Sequence, residues 1–352
     1  MSKTSKGDPK LRHLIHEVSK KYVAIRVCTA DSDPHELNVL SDLSNSRRDL
    51  GDSLGKAMIP FILDTFEIQG PNGTHACYVT LPAKMSLSNV KDGSYIRLFK
   101  LEVARALAAQ SAVAVEYVHS QGFAHGDLHY GNVLIQLPSG LDYGQYGQPE
   151  TVAITRFDGK ELPSCTFEAK ILLSDFGEAF SPTREKKFES HTPLVNRAPE
   201  TRFESANPLS FPSDIWSLAC SIWDIIGQNP LFEGFLATED DIACEHVDAL
   251  GILPPDGWNK WEVRRNMFSE DGKPIDCRPY QSWEDRFEDS VQQPRQAEGM
   301  PLFEPAERDA LFSMLRPMLS FKPESRLSTK EVLASEWMVK WALPECATIW
   351  KS

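Results

Sequence analysis

Two stretches of this chain are apolar on every side, and they constrain the fold more than any other feature. A helix with no polar stripe offers no face to water and has to be enclosed by other elements. PSDIWSLACSIWDIIG, residues 212–227, reads as such a helix, with Ser213 placed to cap its start and Gly227 to end it. A second helical pattern runs from Ser94 to Ser120, with Leu98, Leu101, Leu107, Ala108, Ala114 and Val118 at helical spacing and AVAVEYV apolar throughout. Two enclosed helices predict a large helical body, and 352 residues at 41% hydrophobic are enough to build it.

The first quarter of the chain reads differently. YVAIRVCT, residues 22–29, is a β-branched and aromatic strand, followed by the turn DSDP and the short helix HELNVLSDL. FILDTFEI and HACYVTL flank GPNGT, whose Gly, Pro and Asn suit a hairpin turn. Asn72-Gly73-Thr74 has the form of a glycosylation acceptor but is read as part of that turn. A small β section, a large α section and a junction near Pro82 predict an α+β fold of two lobes with a cleft. Residues 1–82 would form the smaller lobe, 83–345 the larger and 346–352 a tail, with a Gly- and Pro-rich surface insertion at 138–168.

A net charge of -13 argues against general affinity for nucleic acid or anionic membrane and suits basic peptides or metal-bound phosphates. The seven cysteines are scattered, with no C-x-x-C pair, and predict a reducing compartment. MSKTSKGDPK has no apolar segment behind its charges, and no window is long and apolar enough to span a bilayer, so cytoplasm or nucleus is expected.

The chemistry-bearing motifs come in a fixed order. His125-Gly126-Asp127-Leu128-His129-Tyr130-Gly131-Asn132 puts an acid and an amide five residues apart in a loop before the apolar VLI. An Asp so placed can orient an attacking hydroxyl while the Asn ligates a metal on nucleotide phosphates. Ser174-Asp175-Phe176-Gly177 ends the strand ILLS with a carboxylate suited to magnesium. Arg197-Ala198-Pro199-Glu200, Asp214 at the start of the enclosed helix, and Arg326 follow. Any one of these strings is common; their succession is not.

Over residues 22 to 342 the succession resembles the protein kinases, with a small, incomplete β-rich N-lobe and a large helical C-lobe. GPNGTHACYV, LSDFGEAF, the insertion before D-F-G, SWEDRFED and FKPESRLSTKEVLASEWM are similar to fungal relatives of the SR-protein kinases. The resemblance implies ATP and Mg2+ as cofactors. It implies Asp127 as catalytic base, Asn132 and Asp175 as metal ligands, Leu134 beneath the adenine, and Thr80-Leu81-Pro82-Ala83 as gatekeeper and hinge. It also implies a brace between Glu200 and Arg326 and an Asp214 that holds the catalytic loop. Val23-Ala24-Ile25-Arg26 stands at the V-A-I-K strand, and Glu36 at the helix glutamate that pairs with its base.

Three features depart from the pattern. Arg26 replaces a lysine, and a planar guanidinium does not substitute conservatively for a compact ammonium. No G-x-G-x-x-G precedes it, so a first strand and a phosphate-covering loop are expected to be missing. His129 stands where the resemblance to serine/threonine kinases implies a basic residue two positions after the catalytic Asp, and is largely neutral at pH 7.

The leading expectation is a serine/threonine protein kinase acting as a monomer on protein or peptide hydroxyls, with Arg/Ser-rich peptides as the implied substrates. A pseudokinase scaffold is the alternative. A small-molecule phosphotransferase ranks third, because H-G-D-L-H-x-G-N also resembles aminoglycoside and choline kinases, a family that generally lacks the A-P-E segment and the Asp214 helix. Glu239, Asp240, Asp241, Glu245 and Asp248 form an acidic cluster that would suit a basic peptide, although a solvated surface is the favoured reading.

Overall fold

The computed structural model describes residues 12–16, 21–45, 53–137, 169–275 and 281–351. The chain begins with an antiparallel sheet of β1 (Arg12–His16), β2 (Lys21–Val27), β3 (Ile62–Gly70) and β4 (Gly73–Thr80), ordered β1-β2-β4-β3. Strand alternation turns Val23, Ile25 and Val27 to one face, where they pack with Cys77 and Val79. It turns Arg26 to the other, toward α1 (His35–Asn45), which buries Val39, Leu40 and Leu43. The β3–β4 turn falls on Pro71-Asn72, as read from the sequence. Gly73 closes it at φ 122, where a Cβ would lie 2.2 Å from Asp31 Oδ2.

A first strand and a phosphate-covering loop were expected to be missing ahead of β2, and one strand, β1, does precede it. β1 pairs with β2, Leu14 opposite Val23 and Arg12 opposite Ile25. Pairing across a sheet edge, not local composition, makes a strand of RHLIH, in which apolar and polar residues do not alternate. Residues 17–20, between the two strands, contain no glycine.

Only Leu81 and Pro82 separate β4 from β5 (Ala83–Ser86), which starts a second sheet with β6 (Val133–Gln136) and β7 (Ile171–Leu173). The helical body follows: α2 (Leu87–Asp92), α3 (Leu101–Ser120), α4 (Glu200–Phe203), α5 (Phe211–Ile226), α6 (Glu239–Leu250) and α7 (Pro255–Lys260). After them come α8 (Trp283–Phe287), α9 (Gln293–Ala297), α10 (Pro305–Met318), α11 (Thr329–Ala334) and α12 (Leu343–Lys351). The two predicted enclosed helices are α3 and α5, packed on each other, and Trp216 and Trp223 of α5 are fully buried.

Details differ from the sequence reading. The helix expected from Ser94 starts at Leu101, because Arg97 adopts φ 55 and breaks the turn while Leu98 and Phe99 are buried. Ser210, not Ser213, occupies the start of α5; the Ser213 hydroxyl donates to the Ser210 carbonyl at 2.7 Å. Residues 346–351 are no separate tail but belong to α12, which buries Cys346 and Ile349. The insertion at 138–168, with Cys165, lies outside the described residues, as does Cys277. None of the other five cysteines forms a disulfide among the described residues. No helix among the described residues is long and apolar enough to cross a membrane.

Candidate active site

The loop between α3 and β6 is held from below by Asp214. This fully buried carboxylate accepts from the His125 amide at 2.6 Å, the Gly126 amide at 3.0 Å and His119 Nε2 at 2.9 Å. Burial works to raise its pKa, but these donors prevail and hold it below the ordinary range. Gly126 is required here: at φ 77, a Cβ would stand 2.4 Å from the Glu178 carbonyl oxygen. His125 Nδ1 accepts from the Asp127 amide at 3.3 Å, and Nε2 donates to the Ser174 carbonyl at 3.0 Å.

Asn132 Nδ2 donates to the Asp127 carbonyl at 2.9 Å and to its Oδ2 at 3.4 Å. Among the described residues Asp127 Oδ1 is buried without a hydrogen-bond partner, an arrangement that costs free energy unless another molecule supplies a donor. His129 Nε2 stands 3.8 Å from that oxygen. Its Nδ1 accepts from the Gly131 amide at 3.1 Å, an approach that only glycine allows, since a Cβ would lie 2.7 Å from the ring. Burial lowers the His129 pKa below the ordinary histidine value against the pull of Asp127, which favours the neutral ring.

Ser174 ties this loop to the next motif, its amide and hydroxyl each 2.9 Å from the Asn132 carbonyl. Asp175 then turns at φ 65 and presents its carboxylate to Arg26. Arg26 is shared: Nη1 donates to Glu36 at 2.8 Å and Nη2 to Asp175 at 3.1 Å. Glu36 also accepts from the Phe176 amide at 3.1 Å and from the Tyr78 hydroxyl. Burial lifts the Glu36 pKa above the ordinary carboxyl value against the pull of Arg26. Burial also works against the Arg26 charge, but Glu36 and its neighbours outweigh it and keep the guanidinium firmly protonated.

Thr80 ends β4 opposite Ala24, Ala83 opens β5, and Leu134 pairs with Ser86 of β5 and Leu172 of β7. The predicted hinge residues therefore do connect the two sheets. The Leu81 side chain, 57% exposed, lines a cavity of about 560 Å³ with Leu54, Phe61 and Trp350. The predicted brace forms as a bidentate pair, Arg326 Nη1 and Nη2 donating to Glu200 at 2.8 and 2.6 Å. The acidic cluster of α6 is largely committed within the chain. Asp240 pairs with Arg202 and accepts from Trp261 at 2.7 Å, Asp241 closes a capping box with Thr238, Glu245 pairs with Arg286 at 2.6 Å, and Asp248 is buried.

The profile of the protein kinase domain matches residues 11–338. The chain belongs to the protein kinase family. It is 24% identical to a serine/threonine protein kinase of Aspergillus fumigatus over 334 residues, 91% of this chain and 78% of that one. It is also 24% identical to the dual specificity protein kinase CLK1 of Mus musculus over 331 residues, 90% of this chain and 60% of that protein. Over 357 residues it is 22% identical to the serine/threonine-protein kinase SRPK of Physarum polycephalum, 92% of this chain and 79% of that one. The likeness to SR-protein kinases drawn from the sequence thus stands, at low identity.

Sequence reasoning missed several residues of this kinase domain that shape the site. Tyr78 and His119 carry no motif signal, since each acts through a partner that folding brings close. His125 and Gly126 lie inside the quoted motif, but only the backbone geometry reveals one as a two-sided hydrogen-bonding strut and the other as a steric necessity.

Proposed function

We propose that this chain is a serine/threonine protein kinase that transfers the γ-phosphoryl group of magnesium-bound ATP to a protein hydroxyl. The observation that carries the reading is the unpartnered, buried Asp127 Oδ1 beside the Asn132 amide, a carboxylate oxygen that a substrate hydroxyl would complete. Asp127 would orient that hydroxyl and accept its proton, and the neutral His129 would add a donor nearby. Asp175 and Asn132 fit magnesium as hard oxygen ligands, because Asn132 commits its nitrogen to Asp127 and keeps its oxygen as the ligating atom. Magnesium so held would neutralise phosphate charge during transfer. Arg26, steadied by Glu36, would contact phosphates, with Thr80, Ala83 and Leu134 lining the nucleotide base and Leu81 contributing its backbone.

The resemblance to SR-protein kinases supports Arg/Ser-rich peptides as substrates. With its carboxylates committed internally, α6 offers little of the acidic face first considered for docking. Five described cysteines outside any disulfide support a reducing compartment, cytoplasm or nucleus. A pseudokinase is the second reading, favoured by the direct ion pair between Arg26 and Asp175, which competes for the carboxylate a metal needs.

The deciding experiment measures ATP-induced thermal stabilisation with and without magnesium, together with phosphate incorporation into a serine peptide. Magnesium-dependent stabilisation that Asp175→Ala abolishes, and transfer that Asp127→Asn abolishes, are expected. Stabilisation indifferent to magnesium with no transfer would leave the scaffold.

A further inference from the structure

Helix α2 meets the catalytic loop through Ser88 and Lys91, three positions apart and so on one helical face. Ser88 hydrogen-bonds the Tyr130 hydroxyl, and Lys91 Nζ stands 5.6 Å from the centre of the same ring, within reach of a cation–π contact. Lys91 is 3% exposed. Its ammonium donates to the Asp224 carbonyl and, at 2.7 Å, to that of Gly227, at the end of α5 where the helix dipole favours a cation. The equally buried Asp224 carboxylate is its counter-charge and accepts from Asn196 Nδ2 at 3.3 Å. The Asn196 carbonyl in turn accepts from Ser217 at 2.8 Å.

The Lys91–Asp224 contact, ammonium to main-chain carbonyl with the carboxylate as neighbouring opposite charge, therefore joins α2 to three other places. These are Tyr130, between Asp127 and Asn132; Asn196, in the stretch leading to Ala198-Pro199-Glu200; and α5. Burial drives Lys91 down to about 8 and Asp224 up to about 6, so the pair is held against a desolvation cost. Replacing such a buried pair of charges by apolar residues of similar volume is often neutral or stabilising. That comparison argues for a role in geometry.

We infer that Lys91, through Asp224, is a positioning residue that holds Tyr130 and Asn196 in register with Asp127 on the peptide side of the cleft. The inference rests on the reading of Asp127 as the base. The nucleotide side, with Arg26, Glu36 and Asp175, makes no contact with the pair in the described residues.

The test uses the full chain carrying Lys91→Met with Asp224→Asn, which removes both charges together. Amide exchange read by mass spectrometry is expected to speed up at least tenfold in residues 127–132 and 193–198 and to stay unchanged in α3. Binding of a fluorescein-labelled serine peptide is expected to weaken at least fivefold, with affinity for magnesium-ATP within twofold of the parent. Exchange at parental rates in both segments would overturn the inference, as would equal losses for peptide and nucleotide. Should the double variant fail to fold, Ser88→Ala with Tyr130→Phe removes only the hydroxyl contact. Faster exchange in 127–132 is then expected, and an unchanged rate is the overturning result. Absence of phosphoryl transfer in the parent chain would defeat the kinase reading alone, since the exchange measurement needs no turnover.

Discussion

Replacing Glu200 by alanine isolates the contribution of its pair with Arg326. The Arg326 side chain has no exposure, and it is held by Glu200 through two charge-assisted bonds and by the carbonyls of Pro212 and Ser320 at 2.8 Å each. The guanidinium also lies 5.1 Å from the Trp216 ring. Removing Glu200 leaves a charge that can neither reach water nor lose its proton, since arginine stays protonated in proteins. Breaking one partner of a buried pair costs about 3–5 kcal/mol. Because the two carbonyls and the ring remain, the lower half of that range is expected. At roughly 2–4 °C per kcal/mol for a large domain, the midpoint should fall by about 6–15 °C. Circular dichroism with heat and urea would measure it, and Glu200→Leu with Arg326→Met, which removes both charges, should recover most of the loss. A single variant within about 1 kcal/mol of the parent would refute the claim that this pair is dry and mutually dependent.

Gly126→Ala should destabilise by roughly 1–3 kcal/mol, as strain at positive φ does, and loosen the catalytic loop in amide exchange; parental stability would deny the clash with Glu178. Asp214 has a depressed pKa, so its stabilising effect is present above the unfolded value of 3.8 and lost as pH falls through its lower folded value. Acid unfolding curves of the parent and Asp214→Asn should therefore differ most above pH 4 and converge below it. Trp223→Ala, which empties the core beside the last turn of α5, should cost about 3–5 kcal/mol in urea unfolding. Arg26→Lys should raise transfer to a serine peptide while changing nucleotide affinity less, read as kcat against KM, because a compact ammonium replaces the shared fork.

Much of this molecule was legible from the chain alone. The uniform apolarity of residues 212–227 specified an enclosed helix, and the ordered motifs located Asp127, Asn132, Asp175, Glu200, Asp214 and Arg326, because spacing along a backbone sets which residues can end a strand or open a helix. Boundaries were less accessible. The turn at Arg97 and the strand at Arg12–His16 depend on contacts with other elements rather than on local pattern.

What only the tertiary structure decided is how charges are shared. Arg26 and Asp175 lie 149 residues apart, and Lys91 reaches a carbonyl 133 residues away. The carboxylates of α6, which read as an open acidic face, are answered by Arg202, Trp261 and Arg286 from elsewhere. Hydrophobic period encodes which face of an element is buried. It carries no information about which charged side chain will stand opposite once that face is covered, and the energy of such a pair depends on that distance and on the water excluded around it.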